Sequence, residues 1–244
     1  MPNSYFQFKQ FTIQQDRCAM KVTTDACLFG AWVADEVKSK KVKVKNCLDI
    51  GAGTGLLSLM FAQKKEDAFI DAIEIDKETC NQAKENIDAS PWKDRIIITN
   101  SDVKTFSFQK KYDLIISNPP FYENELKSED GKRNTALHSN ELRLAVLLNT
   151  IKESLSSTGF FYLLLPYKRN DEIKKMLLEK EMVILKMILV RQSVNHDYFR
   201  IMLSGKLKST ELTETTIDEI SLWNDQQKYT KEFIELLKDY YLNL

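Results

Sequence analysis

Short apolar runs that stop at glycine or proline alternate along most of this chain with segments of helical spacing. Residues 46–51 (NCLDIG) run apolar into glycine, the mark of a parallel strand buried on both faces. Leu56, Leu57, Leu59, Met60 and Phe61 then fall at helical spacing. Strands are predicted at 69–75, 95–99 and 112–117, with a helix over 77–89 and with Asn118-Pro119-Pro120 ending the last strand. A helix at about 140–155, the strand GFFYLLLP at 159–166 and a helix over 169–180 continue the alternation. Alternation of this kind predicts an α/β fold with a doubly wound, mostly parallel sheet.

Beyond residue 180 the pattern changes. Residues 182–191 and 197–207 are two apolar runs without a helix between them, so an antiparallel pair is expected. Residues 228–242 carry Tyr, Phe and Leu at helical spacing and predict a docked helix. Tyr5, Phe6, Phe8 and Phe11 crowd the start, which predicts that 1–25 packs on the rest. The polar stretch 123–138 reads as a candidate lid. Lys38, Lys40, Lys41, Lys43 and Lys45 read as a solvated connection. A single domain over 1–244 is expected: an N-terminal segment and helix to 45, a core over 46–207 and a helical tail from 208.

Composition narrows the classes. The 35 basic and 35 acidic residues cancel, so overall charge gives no argument for a nucleic-acid partner; only a local patch can supply one. No run approaches the roughly 20 apolar residues of a membrane span, and MPNSYFQFKQ lacks a secretory apolar stretch. Cys18, Cys27, Cys47 and Cys80 form no CxxC pair and read as reduced thiols, so a cytoplasmic protein is expected. With His138 and His196 the only histidines, no metal is expected. Nothing calls for an oligomer, and a monomer is expected.

Three of the seven glycines fall in Asp49-Ile50-Gly51-Ala52-Gly53-Thr54-Gly55, between a predicted strand and a predicted helix. Glycine there permits unusual backbone angles and close approach of a ligand to the main chain. A dinucleotide fingerprint would place glycine where Leu56 stands, and no Gly-Lys-Ser/Thr of a Walker loop is present. The carboxylate of Asp49 disfavours an anionic pyrophosphate and favours a cationic ligand. S-adenosylmethionine (AdoMet), with a sulfonium, an ammonium and no phosphate, meets that requirement. Glu74 ends the second strand, where an acid binds ribose hydroxyls in nucleotide-binding α/β folds. Asp102, followed by Val103, comes after the third strand and suits the amino group of an adenine. By themselves these acids would read as solvated loop residues; at successive strand ends they read as a ligand site.

Asn118-Pro119-Pro120-Phe121 closes the fourth strand. An adenine amino nitrogen is a poor nucleophile because its lone pair is delocalised into the ring. Acceptors on both amino hydrogens return electron density to nitrogen. The Asn118 side-chain carbonyl and the Pro119 backbone carbonyl supply such a pair, which the prolines hold rigid. Phe121 offers a stacking face for the target base.

The glycine loop resembles motif I of class I AdoMet-dependent methyltransferases, and Asn-Pro-Pro-Phe resembles motif IV of amino-methyltransferases. The latter act on adenine in DNA or RNA or on a glutamine amide, and the motif alone leaves these open. The termini are more specific. Met20-Lys21-Val22-Thr23-Thr24-Asp25 with Leu28-Phe29-Gly30-Ala31-Trp32, and Tyr229 through Leu242, resemble the tRNA1(Val) (adenine(37)-N6)-methyltransferase family. That resemblance implies a Rossmann-like class I fold, a seven-stranded sheet ending in an antiparallel pair, AdoMet as cofactor and tRNA as substrate. It implies methylation of adenine 37, next to the anticodon. It also places Thr24, at a helix N-cap, over the cofactor, beside Asp49, Gly51, Gly53, Gly55, Glu74, Asp102, Val103 and Asn118. Lys132, Arg133, Lys168, Arg169, Arg191 and Arg200 are candidate RNA contacts, and His138 a structural or lid residue. A glutamine methyltransferase acting on a release factor and an inactive AdoMet- and RNA-binding module are the alternatives.

Overall fold

The computed structural model describes residues 3–18, 20–40, 42–120, 144–210 and 214–244. The central strands are β3 (Asn46–Ile50), β4 (Phe69–Glu74) and β6 (Tyr112–Ser117), with β5 (Ile96–Asn100) beside β4. They pair in parallel with one another, and β6 pairs in parallel with β7 (Leu155–Pro166), as expected for strands with apolar side chains on both faces. β8 (Met182–Ser193) and β9 (Tyr198–Leu207) form the expected antiparallel hairpin, and β9 lies antiparallel between β7 and β8.

An eighth strand, β10 (Thr216–Trp223), pairs in parallel with β8 and completes the order β10-β8-β9-β7-β6-β3-β4-β5. The expectation of seven strands is therefore corrected to eight, and the antiparallel hairpin is followed by a parallel edge strand. β10 escaped the sequence reading because Thr216, Ile217, Asp218 and Glu219 are all exposed, so its first half carries no buried face.

Helices cover both faces. On one lie α1 (Thr24–Ser39), α2 (Leu56–Lys64), α3 (Lys77–Asp88) and α6 (Lys231–Leu237); on the other lie α4, described over 144–154, and α5 (Asn170–Glu179). α1 is apolar nearly all round because it is sandwiched: Trp32 meets Tyr162 of β7 edge-on at 5.3 Å, and α2 crosses its other side. A Cβ on Gly30 would stand 2.8 Å from Met60 Sδ, so glycine there sets how closely α1 and α2 approach.

The start of the chain forms a small hairpin of β1 (Tyr5–Gln7) and β2 (Thr12–Gln14). Phe8 stacks on Phe11 at 4.4 Å, and the Lys9 N–H donates to Tyr240 O. Two buried amides of α3 hold the segment that follows. Asn86 receives the Gln14 N–H and donates to Gln14 O and to Thr54 O of the glycine loop. Gln82 receives the N–H of Arg17.

Candidate functional site

The C-terminal ends of β3, β4, β5, β6, β7, β8 and β10 meet at one edge of the sheet, which also receives the start of β9. Ligands of open α/β sheets bind at such an edge, outside the strand ends. The glycine loop lies here. Gly51, Gly53 and Gly55 have φ of 71°, 55° and 82°, in the left-handed region that L side chains rarely adopt. Among the described residues, a Cβ on Gly51 or Gly53 would meet no protein atom within 4 Å. Open space therefore faces both positions, and the missing side chains keep it open.

Asp49 is fully buried beneath the loop. Its Oδ2 accepts from Ser58 Oγ at 2.7 Å, while Oδ1 has no partner among the described residues. Burial pushes its carboxyl up to about 6, opposed by the Ser58 hydrogen bonds and reinforced by the charge of Glu74. An orphaned, buried acceptor at the base of an open loop fits a ligand carrying a positive charge or a donor.

Glu74 already has work within the fold. Its Oε2 accepts the Gly53 N–H and its Oε1 the Asp76 N–H, both at 2.9 Å. A carboxylate has about four acceptor positions, so two remain for ligand hydroxyls. Asp76, the other acid nearby, caps α3 by accepting from the Thr79 N–H. Asp102 turns the chain after β5, its Oδ1 accepting the Lys104 N–H at 2.9 Å.

Beside the loop opens a cavity of about 340 Å³. Ile50 and Gly51, Ile73 and Ile75, Ser101 through Lys104, Ser117, Pro119, Pro120, and Leu144, Val146 and Leu147 of α4 line it. Mostly apolar walls with Asp102 at one side suit a flat heterocycle bearing an exocyclic amine. Ser117 Oγ donates to Ile50 O at 2.7 Å and so pins the end of β6 to that of β3.

Asn118 and Pro119 are half-buried at the end of β6, and Pro120 is exposed. Pro119 and Pro120 line the cavity; Asn118 is not among its lining residues. Phe121, Lys132, Arg133, His138 and the candidate lid 123–138 lie outside the described residues. The structure thus gathers Gly51, Asp102, Val103, Pro119 and Pro120 around one cavity, with Asp49, Gly53 and Glu74 in the adjoining loop.

Thr24 is the first residue of α1; Thr23 holds the N-cap position and makes no side-chain cap bond, which corrects the expected cap. Asp25 pairs instead with Arg200 of β9, Nε to Oδ2 at 2.8 Å. Arg169 is held by Glu172 and Arg191 by Glu219, whereas Lys168 is exposed. The sequence reading missed Ile73, Ile75, Ser101, Ser117, Leu144 and Leu147. Ile75 alone left a signal: it is a large apolar residue in the polar turn Glu74-Ile75-Asp76-Lys77, and it is 65% exposed.

With that geometry in place, comparison with known proteins is informative. Residues 32–142 match the family model of the methyltransferase small domain. The tRNA1(Val) (adenine(37)-N6)-methyltransferase of Dyadobacter fermentans is 39% identical, covering 98% of each chain. Relatives bearing the same name in other bacteria are also 35–39% identical. Among solved structures, a predicted O-methyltransferase of Agrobacterium tumefaciens aligns with a TM-score of 0.65 and 18% identity over 90% of this chain and 100% of its own. A glycopeptide N-methyltransferase complexed with AdoMet aligns with a TM-score of 0.53 and 12% identity over 73% of this chain and 94% of its own. Both show the class I methyltransferase fold.

Proposed function

The chain belongs to the tRNA1(Val) (adenine(37)-N6)-methyltransferase family, and from that premise we infer that it methylates the exocyclic N6 of adenine 37 in tRNA1(Val). The observation that carries the reading is full-length similarity to these enzymes joined to a glycine loop, an orphaned acid and an apolar cavity at one sheet edge.

AdoMet, when bound, supplies an electrophilic methyl group on a sulfonium. The residues present fit it: among the described residues Asp49 Oδ1 is a buried acceptor without a partner, and Gly51 and Gly53 leave open space over the loop. Glu74 retains acceptor capacity for the ribose hydroxyls. Asp102 would accept from the cofactor's adenine amine, and Ile75, Val103 and Leu147, which line the same cavity, would enclose its ring. Thr24, the first residue of α1, would add a further contact to the cofactor.

At the end of β6, Asn118 and Pro119 act on the substrate. Their carbonyls accept the two amino hydrogens, so that the nitrogen lone pair is freed from the ring and aimed at the methyl group. Pro119 and Pro120 fix φ and donate no main-chain bond, which keeps the acceptors rigid. Phe121, outside the described residues, would offer a stacking face to the target base. The transfer needs no prior deprotonation, because the amine becomes strongly acidic only after methylation. Proximity supplies much of the rate.

The test is incubation of the protein with AdoMet and unmodified tRNA, followed by nucleoside analysis. N6-methyladenosine at position 37 is expected. Its absence from every tRNA offered would refute the reading.

A further inference from the structure

A second cleft lies on the same sheet edge, three strands from Asn118 in the order β6-β7-β9-β8 and so about 14 Å away at ~4.8 Å per strand. Its volume is about 470 Å³. It opens between the β8–β9 turn, which supplies Gln192, Ser193, Asn195 and His196, and the end of β10, which supplies Trp223, Asn224, Asp225 and Gln227. Four of these eight residues carry carboxamides, two carry flat rings, and the only ordinary charge is the acid Asp225.

That composition selects a ligand class. Phosphate is disfavoured, since Asp225 lines the cleft and neither lysine nor arginine does. Carboxamides present a donor and an acceptor side by side, the pairing that matches the edge of a nucleobase. Splayed single-stranded bases are read in this way, by hydrogen bonds to their edges and by stacking on aromatic or imidazole rings.

Several groups are already set. The Trp223 ring is braced by Tyr229, stacked at 4.1 Å, and Tyr229 by Phe233 at 4.3 Å. His196 Nδ1 is fixed against Ser193 Oγ at 2.6 Å, which leaves Nε2 for another partner. Asn224 Oδ1 accepts the N–H groups of Gln226 and Lys228, so its amide nitrogen is the group left to donate. Gln227 sits at φ 57°, a left-handed angle that costs a non-glycine residue energy.

We propose that this cleft receives a base of the tRNA a few nucleotides from the methylated adenine and selects it by its edge. Between the two sites, Tyr167 and Tyr198 lie 5.1 Å apart, with the Arg191 guanidinium 4.5 Å over Tyr198. This row, with exposed Lys168 beside it, gives the intervening strand a stacking and cationic path along the edge. The inference rests on the tRNA methyltransferase reading. It adds a determinant of substrate choice outside the methyl-transfer site.

The experiment compares kcat/KM for full-length tRNA transcripts in which each loop base other than the target is replaced in turn. Wild type is expected to prefer one base about ten- to hundredfold at one position. Gln192→Ala and Gln227→Gly should flatten that preference and leave AdoMet affinity unchanged. Gln227→Gly relieves the left-handed backbone, so a melting temperature at or above that of wild type separates lost reading from lost folding. Indifference of wild type at every loop position, or unaltered preferences in both variants, overturns the proposal. Failure of wild type to methylate any transcript would instead refute the methyltransferase reading, and this inference with it.

Discussion

The backbone N–H of Gly53 lies 2.9 Å from a carboxylate oxygen of Glu74, so the glycine turn and the acid that ends β4 form one unit. Glu74→Ala strips the acceptor from both Gly53 and Asp76. Unfolding free energy should fall by about 1–3 kcal/mol, and AdoMet affinity should fall as well. Melting without cofactor reads the first effect and titration calorimetry the second. An unchanged dissociation constant would remove Glu74 from the binding site.

Asp49 links binding to pH. Burial raises its folded-state pKa to about 6 from an ordinary 3.8, so the folded chain holds this proton more tightly than the unfolded chain. The carboxyl's stability cost is therefore absent at low pH, grows as pH rises from about 4 to 6, and is constant above. Asp49→Asn is expected to melt higher than wild type at pH 8, by at most about 3 kcal/mol of stability, and to lose that advantage near pH 4. AdoMet binding should move the other way, weaker in the variant at pH 8 and weaker in wild type below pH 6. A cofactor affinity flat between pH 5 and 8 would contradict this.

Gly51→Ala separates backbone strain from lost ligand space. The new methyl meets no described protein atom within 4 Å, so the fold loses only the stability that a left-handed backbone costs an L residue, about 1–2 kcal/mol. Cofactor affinity should fall by more than the melting temperature shift accounts for. Equal losses in the two measurements would mean the space above Gly51 holds no ligand.

Ile75→Ala is expected to leave stability within about 0.5 kcal/mol, because the side chain is 65% exposed. It lines the cavity all the same, and its removal should weaken AdoMet by about 1–2 kcal/mol through lost apolar contact. Calorimetry on the folded variant settles the point.

Asn118→Ala should lower kcat by about 2–4 kcal/mol in barrier, roughly 30- to 1000-fold, with AdoMet affinity retained. Single-turnover methylation of tRNA at saturating cofactor is the measurement. Wild-type turnover would remove the side-chain carbonyl from the mechanism.

Strands buried on both faces were legible because burial forces continuous apolar runs: β3, β4 and β6 stand where the sequence predicts them, and β7 ends where predicted but begins earlier, at Leu155. The C-terminal strand β10 was not, since an edge strand with an exposed first half shows no such run. Nor were β1 and β2, whose three residues each are too short for periodicity. At the site, glycine spacing announced the loop and strand ends announced the acids. Burial of Asp49 and the missing partner of its Oδ1 are properties of neighbours distant in sequence, which no local pattern encodes. The lining side chains of α4 were hidden for a related reason: Leu144 and Leu147 look like any helix core until the sheet edge is placed against them.

The amino-terminal hairpin has its own timetable. Its anchors are Asn86 and Gln82 of α3, Tyr240 and, by a backbone bridge to Phe8, Tyr241. During synthesis at ~5–20 residues per second, β1 and β2 thus leave the ribosome well before Tyr240 and Tyr241, which complete their seat. Because Asn86 grips Gln14 and Thr54 together, the glycine turn gains its full bracing only once β2 has docked on α3. A nascent chain halted before residue 240 would lack the seats for Lys9 and Phe8, and its hairpin would hang from the amides of α3 alone.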